Sequence, residues 1–411
     1  MMNETKITVF IYLPGKTRAV PAGIFTHDNK LGIGSFNYGR KYIERKNALP
    51  VDPIALPLGR QTKEVITNGG LYGTFRDSAP DYWGRLVIAA EKRVPPEALS
   101  EIDFLLNANA TRVGNLDFRS RPDDLEPLPG PPHFSQMENI LEAAYKIERG
   151  ETVSQHLLNL LNQGTSLGGA RPKSTVEWKS ELWIAKFSAR NDTLSIPRIE
   201  YASMTLAKHC GIRIPELHLE SIGKSKILLV RRFDRERSAE SWERSGFLSA
   251  LSLMQWDEAD RLSWSYGKIA DKMRRFVPMK DLHELFRRMA YNILVRNTDD
   301  HPRNHGFIFD SKMIQLAPAY DIVPTLAKPG VGTQFYMAMS VGEHGRVGTL
   351  ANATTWAFRF GLELEQAMLI IKELVDTVSQ WKDIFTSAGC TNSEIKALEP
   401  SFAALHEWEI C

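Results

Sequence analysis

Three side chains in the C-terminal half of the chain have the types and spacing that magnesium-assisted phosphoryl transfer requires. Asp299 lies five residues before Asn304, and Asp321 follows seventeen residues after Asn304. This chemistry needs one carboxylate to orient the acceptor hydroxyl, and an amide and a second carboxylate to hold metal on the nucleotide phosphates. Carboxylate and amide oxygens suit magnesium, which takes its remaining ligands from water and phosphate. The pattern therefore predicts a phosphoryl-transfer site.

A hairpin is predicted between the two candidate metal ligands. Residues 306–309 and 313–316 are short apolar runs, and the residues between them have turn chemistry. Antiparallel pairing would bring the outer ends of these strands to about 5 Å from one another. Asn304 precedes the first strand and Asp321 follows the second, so the hairpin is expected to place them side by side.

A predicted helix leads into the same region. Apolar residues recur at helical spacing up to Leu294, and the helix is expected to end near Arg296. Asp299 would then lie on a loop held by a packed scaffold. The alternative interpretation is an ordinary capped turn, in which Asp and Asn side chains bond their own backbone.

A lysine that could hold nucleotide phosphates lies upstream on a strand predicted to be buried. In residues 181–187, Lys186 shares a face with apolar side chains, and a buried lysine is costly unless it is paired. Glu200, on a helix predicted to begin near Pro197, is the candidate partner, since kinases pair their phosphate-binding lysine with a helix glutamate. The alternative is that Lys186 extends from the strand end to water.

A glycine-rich segment, residues 164–174, precedes this strand. Its glycines, hydroxyls and lysine would let backbone amides approach phosphate closely. It is not a Walker A loop, because Ala170-Arg171 stands where Lys-Ser/Thr should be. It also lacks the Gly-x-Gly-x-x-Gly spacing of ordinary protein kinases, so an ordinary turn is the alternative interpretation.

The order of these segments resembles the HipA family, the bacterial toxin kinases of toxin–antitoxin pairs. The resemblance covers most of the chain, and the catalytic loop and the metal-binding segment are its more specific parts. It rests on residues 75–85, the glycine loop at 166–173, Lys186, residues 230–235, the loop at 298–304 and residues 320–324.

The resemblance implies a fold and a set of roles. The fold would be α+β: a two-lobed protein-kinase-like fold with an added β-rich N-terminal subdomain and a mainly helical C-terminal lobe. Asp299 would be the catalytic residue, Asn304 and Asp321 would bind Mg²⁺, and Lys186 would contact the ATP phosphates. Further ATP-binding residues are expected in the glycine loop and in the segment that joins the lobes: Ser166, Gly168, Gly169, Arg232 and Phe233.

The resemblance also implies regulation and partners. Ser166 occupies the position at which family members phosphorylate themselves, a step that dislodges the phosphate loop and silences the kinase. Substrates in the family include aminoacyl-tRNA synthetases, and a small helix-turn-helix antitoxin would be the partner through which DNA is contacted. One departure is Arg231, where family members often carry Glu, although backbone groups could still bind adenine.

Two histidines near the catalytic loop raise the alternative of a zinc site. His301 and His305 are four residues apart, but the metalloprotease pattern needs a glutamate beside the first histidine and a helix that carries both. Pro302 follows His301, so the pattern fails. We expect His301 instead to brace the catalytic loop by hydrogen bonding behind Asp299.

Composition limits the class of protein. The chain has 411 residues, 43% hydrophobic content and a formal net charge of +2. It can therefore bury large cores, and its charge does not by itself indicate nucleic-acid binding. Its three scattered cysteines form no disulfide framework or zinc spacing, and no run reaches the roughly 20 apolar residues of a membrane span. We expect a soluble, cytoplasmic protein with no membrane contact.

The predicted organisation has an N-terminal subdomain at 1–115, a proline-rich connector at 116–135, a kinase N-lobe at 136–232 and a helical C-lobe at 233–411. The leading hypothesis is a HipA-like serine/threonine protein kinase. Two alternatives stay open: a catalytically dormant co-repressor that binds a DNA-binding antitoxin, and a kinase that phosphorylates small-molecule alcohols.

Overall fold

The structure is a computed structural model that describes residues 4–164, 169–239, 241–310, 313–327, 334–402 and 405. Ser166 and Gly168, both predicted to bind ATP, lie outside the described residues. The tip of the predicted 306–316 hairpin, at residues 311–312, lies outside them as well.

The N-terminal region contains an antiparallel sheet, whose strands are β1 (Glu4–Tyr12), β2 (Ala19–Asp28), β3 (Ile33–Tyr38), β4 (Lys63–Val65) and β5 (Leu116–Arg119). Their order across the sheet is β4-β3-β2-β1-β5. From Ile7 onward β1 is buried on both faces, which explains its nearly continuous run of apolar residues.

Strand β5 changes the predicted start of the connector. Leu116 and Phe118 are buried in the core of the N-terminal sheet, and Asp117 forms an ion pair with Arg119. The strand pairs with β1, and the first proline of the connector comes only at Pro122. The extended connector, predicted from residue 116, therefore begins after Arg119.

Short helices accompany the N-terminal sheet: α1 (Arg40–Ile43), α2 (Gly73–Ser78), α3 (Tyr82–Lys92) and α4 (Glu101–Asn107). The start of α4 is fixed by a capping box between Ser100 and Asp103. Helix α3 belongs to a different core, because Trp83 and Val87 pack with the side chains of the next lobe. The N-terminal region is therefore joined to the rest of the protein by packing as well as by the chain.

The next lobe carries a second antiparallel sheet. Its helices and strands are α5 (Met137–Glu148), α6 (Gln155–Gly164), β6 (Lys173–Trp178), β7 (Glu181–Lys186), α7 (Ile196–His209), β8 (Leu217–Ile222) and β9 (Ser225–Arg231). The strand order is β6-β7-β9-β8. Helices α5 and α6 pack on this sheet together with α3. Lys186 is the last residue of β7.

The C-terminal lobe is mainly helical and includes two small antiparallel sheets. Its strands are β10 (Arg235–Arg237), β11 (Trp242–Arg244), β12 (Gly246–Ser249), β13 (Gly306–Phe309) and β14 (Ile314–Leu316). Strand β13 pairs with both β12 and β14. The predicted pairing of the 306–316 segment is thus confirmed for the described residues.

The helices of this lobe are α8 (Ala250–Met254), α9 (Tyr266–Met273), α10 (Met279–Leu294), α11 (Leu350–Thr354), α12 (Leu364–Val378), α13 (Trp381–Ser387) and α14 (Asn392–Leu398). Helix α10 lies in the middle of the lobe, with most of its residues buried, and ends two residues before the predicted Arg296. Within the described residues, no helix is both long and apolar enough to cross a membrane.

Candidate active site

Lys186 forms ion pairs with residues from both lobes. Its Nζ donates to Glu200 Oε1 at 2.5 Å and also to Asp321 Oδ1. Glu200 is buried near the start of α7, where Pro197 fits the first turn of the helix. The structure therefore contains the lysine–glutamate pair that the sequence predicted, and it places this pair against one of the two candidate metal ligands.

Burial and charge have opposite effects on these groups. Burial alone would lower the pKa of Lys186, but Asp321 and Glu200 raise that pKa above its usual value. Burial raises the pKa of Glu200 even though Lys186 opposes the shift. At Asp321, Lys186 and Lys173 outweigh burial, so the pKa of this carboxyl is lowered. Asp321 is therefore held as a carboxylate, which is the form that binds cations.

A second lysine at this site is Lys173, which sequence reasoning counted as part of the glycine loop without placing it beside Lys186. Lys173 begins β6 and lies opposite Lys186 in the strand register, so the two side chains share a face of the sheet. Burial lowers its pKa, although Asp321 raises it. The register follows from the two-residue turn at Lys179-Ser180, where both residues have positive φ. This pair is not the Asn-Gly or Asp-Gly that marks such turns, so the register could not be predicted from the turn residues.

Gly169 lets the glycine loop come close to Lys173. Its φ is +107°, in a region that other residues rarely adopt, and a Cβ at this position would collide with Lys173 Nζ. Of the three predicted loop residues Ser166, Gly168 and Gly169, only the last is among the described residues. It lies beside the lysine–carboxylate group, which is formed by Lys173, Lys186, Glu200 and Asp321.

Asp299 lies on the loop after α10, and its side chain is exposed. The loop is shaped by two hydrogen bonds to the Asp299 carbonyl oxygen. The backbone N–H of His301 donates to it at 2.8 Å, and Asn304 Nδ2 donates to it at 3.2 Å. Because the amide nitrogen of Asn304 is used in this way, its oxygen is the atom left to bind a cation. The structure thus brings Asp299 and Asn304 together.

Asp300 anchors this loop from beneath. Its buried carboxylate accepts hydrogen bonds from Asn292 Nδ2 at 2.8 Å and from His305 Nε2 at 3.0 Å. His301, the predicted brace, contributes its backbone N–H, but its ring Nδ1 has no hydrogen-bond partner among the described residues. The bracing side chain is therefore His305. Sequence reasoning considered His305 and Asp300 only as parts of a zinc site, together with His301.

In the segment that joins the lobes, the side chain of Arg232 has a structural role. The guanidinium of Arg232 is buried and donates to Asp234 and to the carbonyl oxygens of Thr111 and Arg112. Any contact of Arg232 with nucleotide would therefore come from its backbone. The Phe233 ring stacks on Tyr320 with 5.9 Å between ring centroids.

The donor set at the site fits magnesium better than a metal held by protein alone. No group of three or more His, Cys, Asp or Glu side chains is placed to hold a metal ion in the described part of the chain. Asn304 and Asp321 offer one amide oxygen and one carboxylate, and magnesium commonly binds with one or two such ligands plus phosphate and water. These two residues would hold the ion on a nucleotide.

An antiparallel sheet with a paired lysine, next to a helical lobe with the loop acid and the candidate metal ligands, is the arrangement of protein-kinase-like phosphotransferases. Comparison with known proteins agrees with this class. Residues 165–382 match the HipA-like C-terminal domain, and residues 16–119 match the HipA N-terminal domain.

Similar proteins extend the comparison to most of the chain. Y4mE of Sinorhizobium fredii, provisionally named a kinase, is 25% identical over 380 residues, which cover 87% of this chain and 88% of Y4mE. The serine/threonine-protein kinase toxin HipA of Shewanella oneidensis is 22% identical over 237 residues, which cover 50% of this chain and 53% of that protein.

A solved structure of Shewanella oneidensis HipA, in complex with HipB and operator DNA, superposes with a TM-score of 0.70 at 14% sequence identity. The superposition covers 97% of each chain. The present chain belongs to the HipA family of kinases, as the sequence resemblance indicated. The predicted α+β, two-lobed kinase-like fold with an added N-terminal subdomain is likewise confirmed.

Proposed function

We propose that this protein is a serine/threonine protein kinase that transfers the γ-phosphate of ATP to a protein hydroxyl, with Mg²⁺ as cofactor. The observation that carries the proposal is the position of Lys186, which bonds to both Glu200 and Asp321. A lysine held by a helix glutamate beside a metal-binding aspartate is the arrangement by which kinases present a cation to nucleotide phosphates.

Each residue has a distinct role in the proposed reaction. Lys186 and Lys173 supply positive charge to the phosphates of ATP, and Glu200 holds Lys186 in place. The exposed carboxylate of Asp299 accepts a hydrogen bond from the acceptor hydroxyl and orients its oxygen for in-line attack. Mg²⁺, when bound through Asn304 and Asp321, offsets the negative charge of the phosphates. Hydrogen bonds from Asn304 and His301 to the Asp299 carbonyl keep the loop in shape for this step.

The proposal includes a toxin role and a partner. The similarity to a HipA toxin, and the structural likeness to a HipA captured with HipB and operator DNA, support a toxin–antitoxin pair. The partner would be a small helix-turn-helix antitoxin, through which DNA is contacted, and the substrate would be a protein such as an aminoacyl-tRNA synthetase. The competing function is a catalytically dormant co-repressor that binds a DNA-binding antitoxin. The likeness to the HipA complex with HipB and operator DNA supports it equally.

Autophosphorylation at Ser166 would switch the enzyme off. A phosphate there adds about −1.5 to −2 charge in the glycine loop, where the phosphates of ATP are expected to lie. Gly169 and Lys173, from the same loop, lie beside the lysine–carboxylate group, which supports the placement of that charge. Repulsion would then expel ATP or the loop.

Incubation of the purified protein with γ-labelled ATP, Mg²⁺ and cell extract tests the proposal. Labelled protein bands that vanish with Asp299→Asn would support a protein kinase, whereas a labelled metabolite would indicate a small-molecule kinase. No transfer to either, combined with binding of a helix-turn-helix partner, would favour the dormant co-repressor. Phosphopeptide mapping would show whether the chain labels itself at Ser166.

A further inference from the structure

The motif at residues 75–85 lies outside the candidate active site but next to it. Residues 75–85 form the end of α2, a turn and the start of α3, within the N-terminal region. The structure places this motif between the glycine loop and the catalytic loop, and Asp81 contacts both.

The first set of contacts holds the glycine loop. Asp81 Oδ2 accepts the backbone N–H of Gly169 at 2.7 Å. Two residues further on, Trp83 donates its backbone N–H to the Gly169 carbonyl at 3.4 Å and its ring Nε1 to the Lys173 carbonyl at 2.9 Å. The motif therefore holds the backbone at both ends of residues 169–173, the described part of the glycine loop.

The second set of contacts reaches the catalytic loop. Asp81 Oδ1 forms an ion pair with Arg303 at 2.8 Å and another with Arg76 at 3.0 Å. Glu258 closes the ring, because it pairs with Arg303 at 2.6 Å and with Arg76 at 3.1 Å. Arg303 directly precedes Asn304, the candidate metal ligand. One carboxylate thus connects the two loops that would enclose ATP.

The motif is itself fixed to the C-terminal lobe. Asp77 is buried and accepts hydrogen bonds from the backbone N–H of Ser249 at 2.7 Å, from its hydroxyl at 2.8 Å and from the hydroxyl of Ser252 at 2.7 Å. Ser249 ends β12 and caps α8, and β12 pairs with β13, which follows the catalytic loop. The segment that carries Asp81 is therefore held to the C-terminal lobe by Asp77, four residues earlier.

Asp81 is charged in this setting. Its side chain is 14% exposed, and burial alone would raise its pKa. Arg303 and Arg76 outweigh burial and lower the pKa of Asp81 to about 2. Charge-assisted hydrogen bonds to a carboxylate are about twice as strong as neutral ones, so the bond from the Gly169 N–H to Asp81 is one of the stronger contacts of this segment.

We propose that Asp81 is a positioning residue that holds residues 169–173 of the glycine loop at a fixed place relative to the catalytic loop, a role that rests on the proposed kinase function. Asp81 touches neither of the predicted reacting groups. It acts through the Gly169 amide on one side and through Arg303 on the other.

The test compares Asp81→Ala with the control variant Asp271→Ala. Asp271 also pairs with an arginine, Arg359, at 3.0 Å, and neither residue belongs to the 75–85 motif, the glycine loop or the catalytic loop. Amide hydrogen exchange at Gly169 is measured in the ATP-free protein, together with KM for ATP, kcat and the urea midpoint. Exchange needs no catalysis, so it decides the positioning role even if the wild-type chain transfers no phosphate.

The expected result for Asp81→Ala is exchange at Gly169 faster by about tenfold or more and a KM for ATP higher by about tenfold, from the loss of a charged hydrogen bond. Asp271→Ala should match the wild type in both. Unchanged exchange at Gly169 in Asp81→Ala, or equal acceleration in both variants, would overturn the proposal. If Asp81→Ala does not fold, Arg76→Gln removes one of the two cations and should give a smaller acceleration in the same direction; no acceleration there would overturn it as well.

Discussion

Tyr320 donates its hydroxyl to the carbonyl oxygen of Arg303 at 2.8 Å. These two residues directly precede Asp321 and Asn304. The bond therefore joins the segment after β14 to the loop before β13, directly beside the two candidate metal ligands.

Tyr320→Phe should weaken magnesium binding while leaving the fold in place. Loss of the hydroxyl leaves the Arg303 carbonyl without this partner, at a cost of about 1 kcal/mol in stability. We expect the Mg²⁺ concentration for half-maximal activity to rise by roughly threefold to tenfold. A loss of about 1 kcal/mol in the free energy of Mg²⁺ binding corresponds to a factor of this size.

The matched control for this change is Tyr145→Phe, which removes a hydroxyl bonded to Ser225 Oγ at 3.1 Å in the N-lobe. It should have the magnesium dependence of the wild type. The same magnesium curve for all three proteins would show that the Tyr320 bond does not organise a metal site.

Asp299→Asn should abolish transfer without unfolding the protein. The side chain is exposed, so its stability cost is expected to lie within ±0.5 kcal/mol. Loss of the carboxylate that orients the acceptor should lower kcat by about 10²–10⁴-fold. Asp376→Asn, which removes an exposed carboxylate paired with Lys372 on α12, is the control and should retain full activity. Retained transfer in Asp299→Asn would remove this residue from the catalytic role.

Lys186→Met should make stability dependent on pH. Burial raises the pKa of Glu200, and removal of the lysine takes away the main charge that opposes this shift. The folded protein would then keep a proton on Glu200 at a pH where the unfolded chain, with a pKa of about 4.3, has released it. The contribution of Glu200 to stability should therefore be complete below about pH 4 and be lost as the pH rises through its folded pKa.

Urea midpoints of Lys186→Met between pH 5 and 8 would measure this fall. The double variant Lys186→Met/Glu200→Gln lacks the buried carboxyl and should lose most of the dependence. If the single variant is equally stable across that range, Glu200 is not the buried group that Lys186 neutralises.

Asp300→Ala should lower kcat more than it raises KM for ATP. The change leaves Asn292 and His305 without their acceptor, and each buried group left in this state costs about 1–3 kcal/mol. The catalytic loop would lose its support below Asp299, while the lysines that meet the phosphates stay in place. Steady-state kinetics with varied ATP separates the two constants. A raised KM with unchanged kcat would contradict this assignment.

The sequence contained enough to predict the class of fold and part of the site. Lys186 and Glu200 were predicted as a pair because a lysine on an apolar strand requires a partner, and the structure contains that bond. The hairpin was predicted from two apolar runs around a turn, and β13 pairs with β14. Both inferences rest on local patterns, in which the sequence alone restricts the structure strongly.

The positions of Lys173, Asp81 and Asp300 could not be predicted, for a different reason in each case. Lys173 reaches the site because the two-residue turn at Lys179-Ser180, which lacks the usual Asn-Gly or Asp-Gly, sets its register opposite Lys186. Asp81 lies 88 residues before Gly169, and no local periodicity records such a contact. Asp300 was overlooked because an acid beside the catalytic residue looks the same in sequence whether it is buried or exposed.

The buried arginines of the segment that joins the lobes bear on how the protein could be divided. Arg232 and Arg235 donate to backbone carbonyls of Thr111, Arg112 and Gly114, all within the N-terminal region. A fragment that started after residue 120 would lack these backbone acceptors of Arg232 and Arg235. We therefore expect the catalytic half alone to be less stable than the full chain, with Asp234 as the acceptor that both arginines keep.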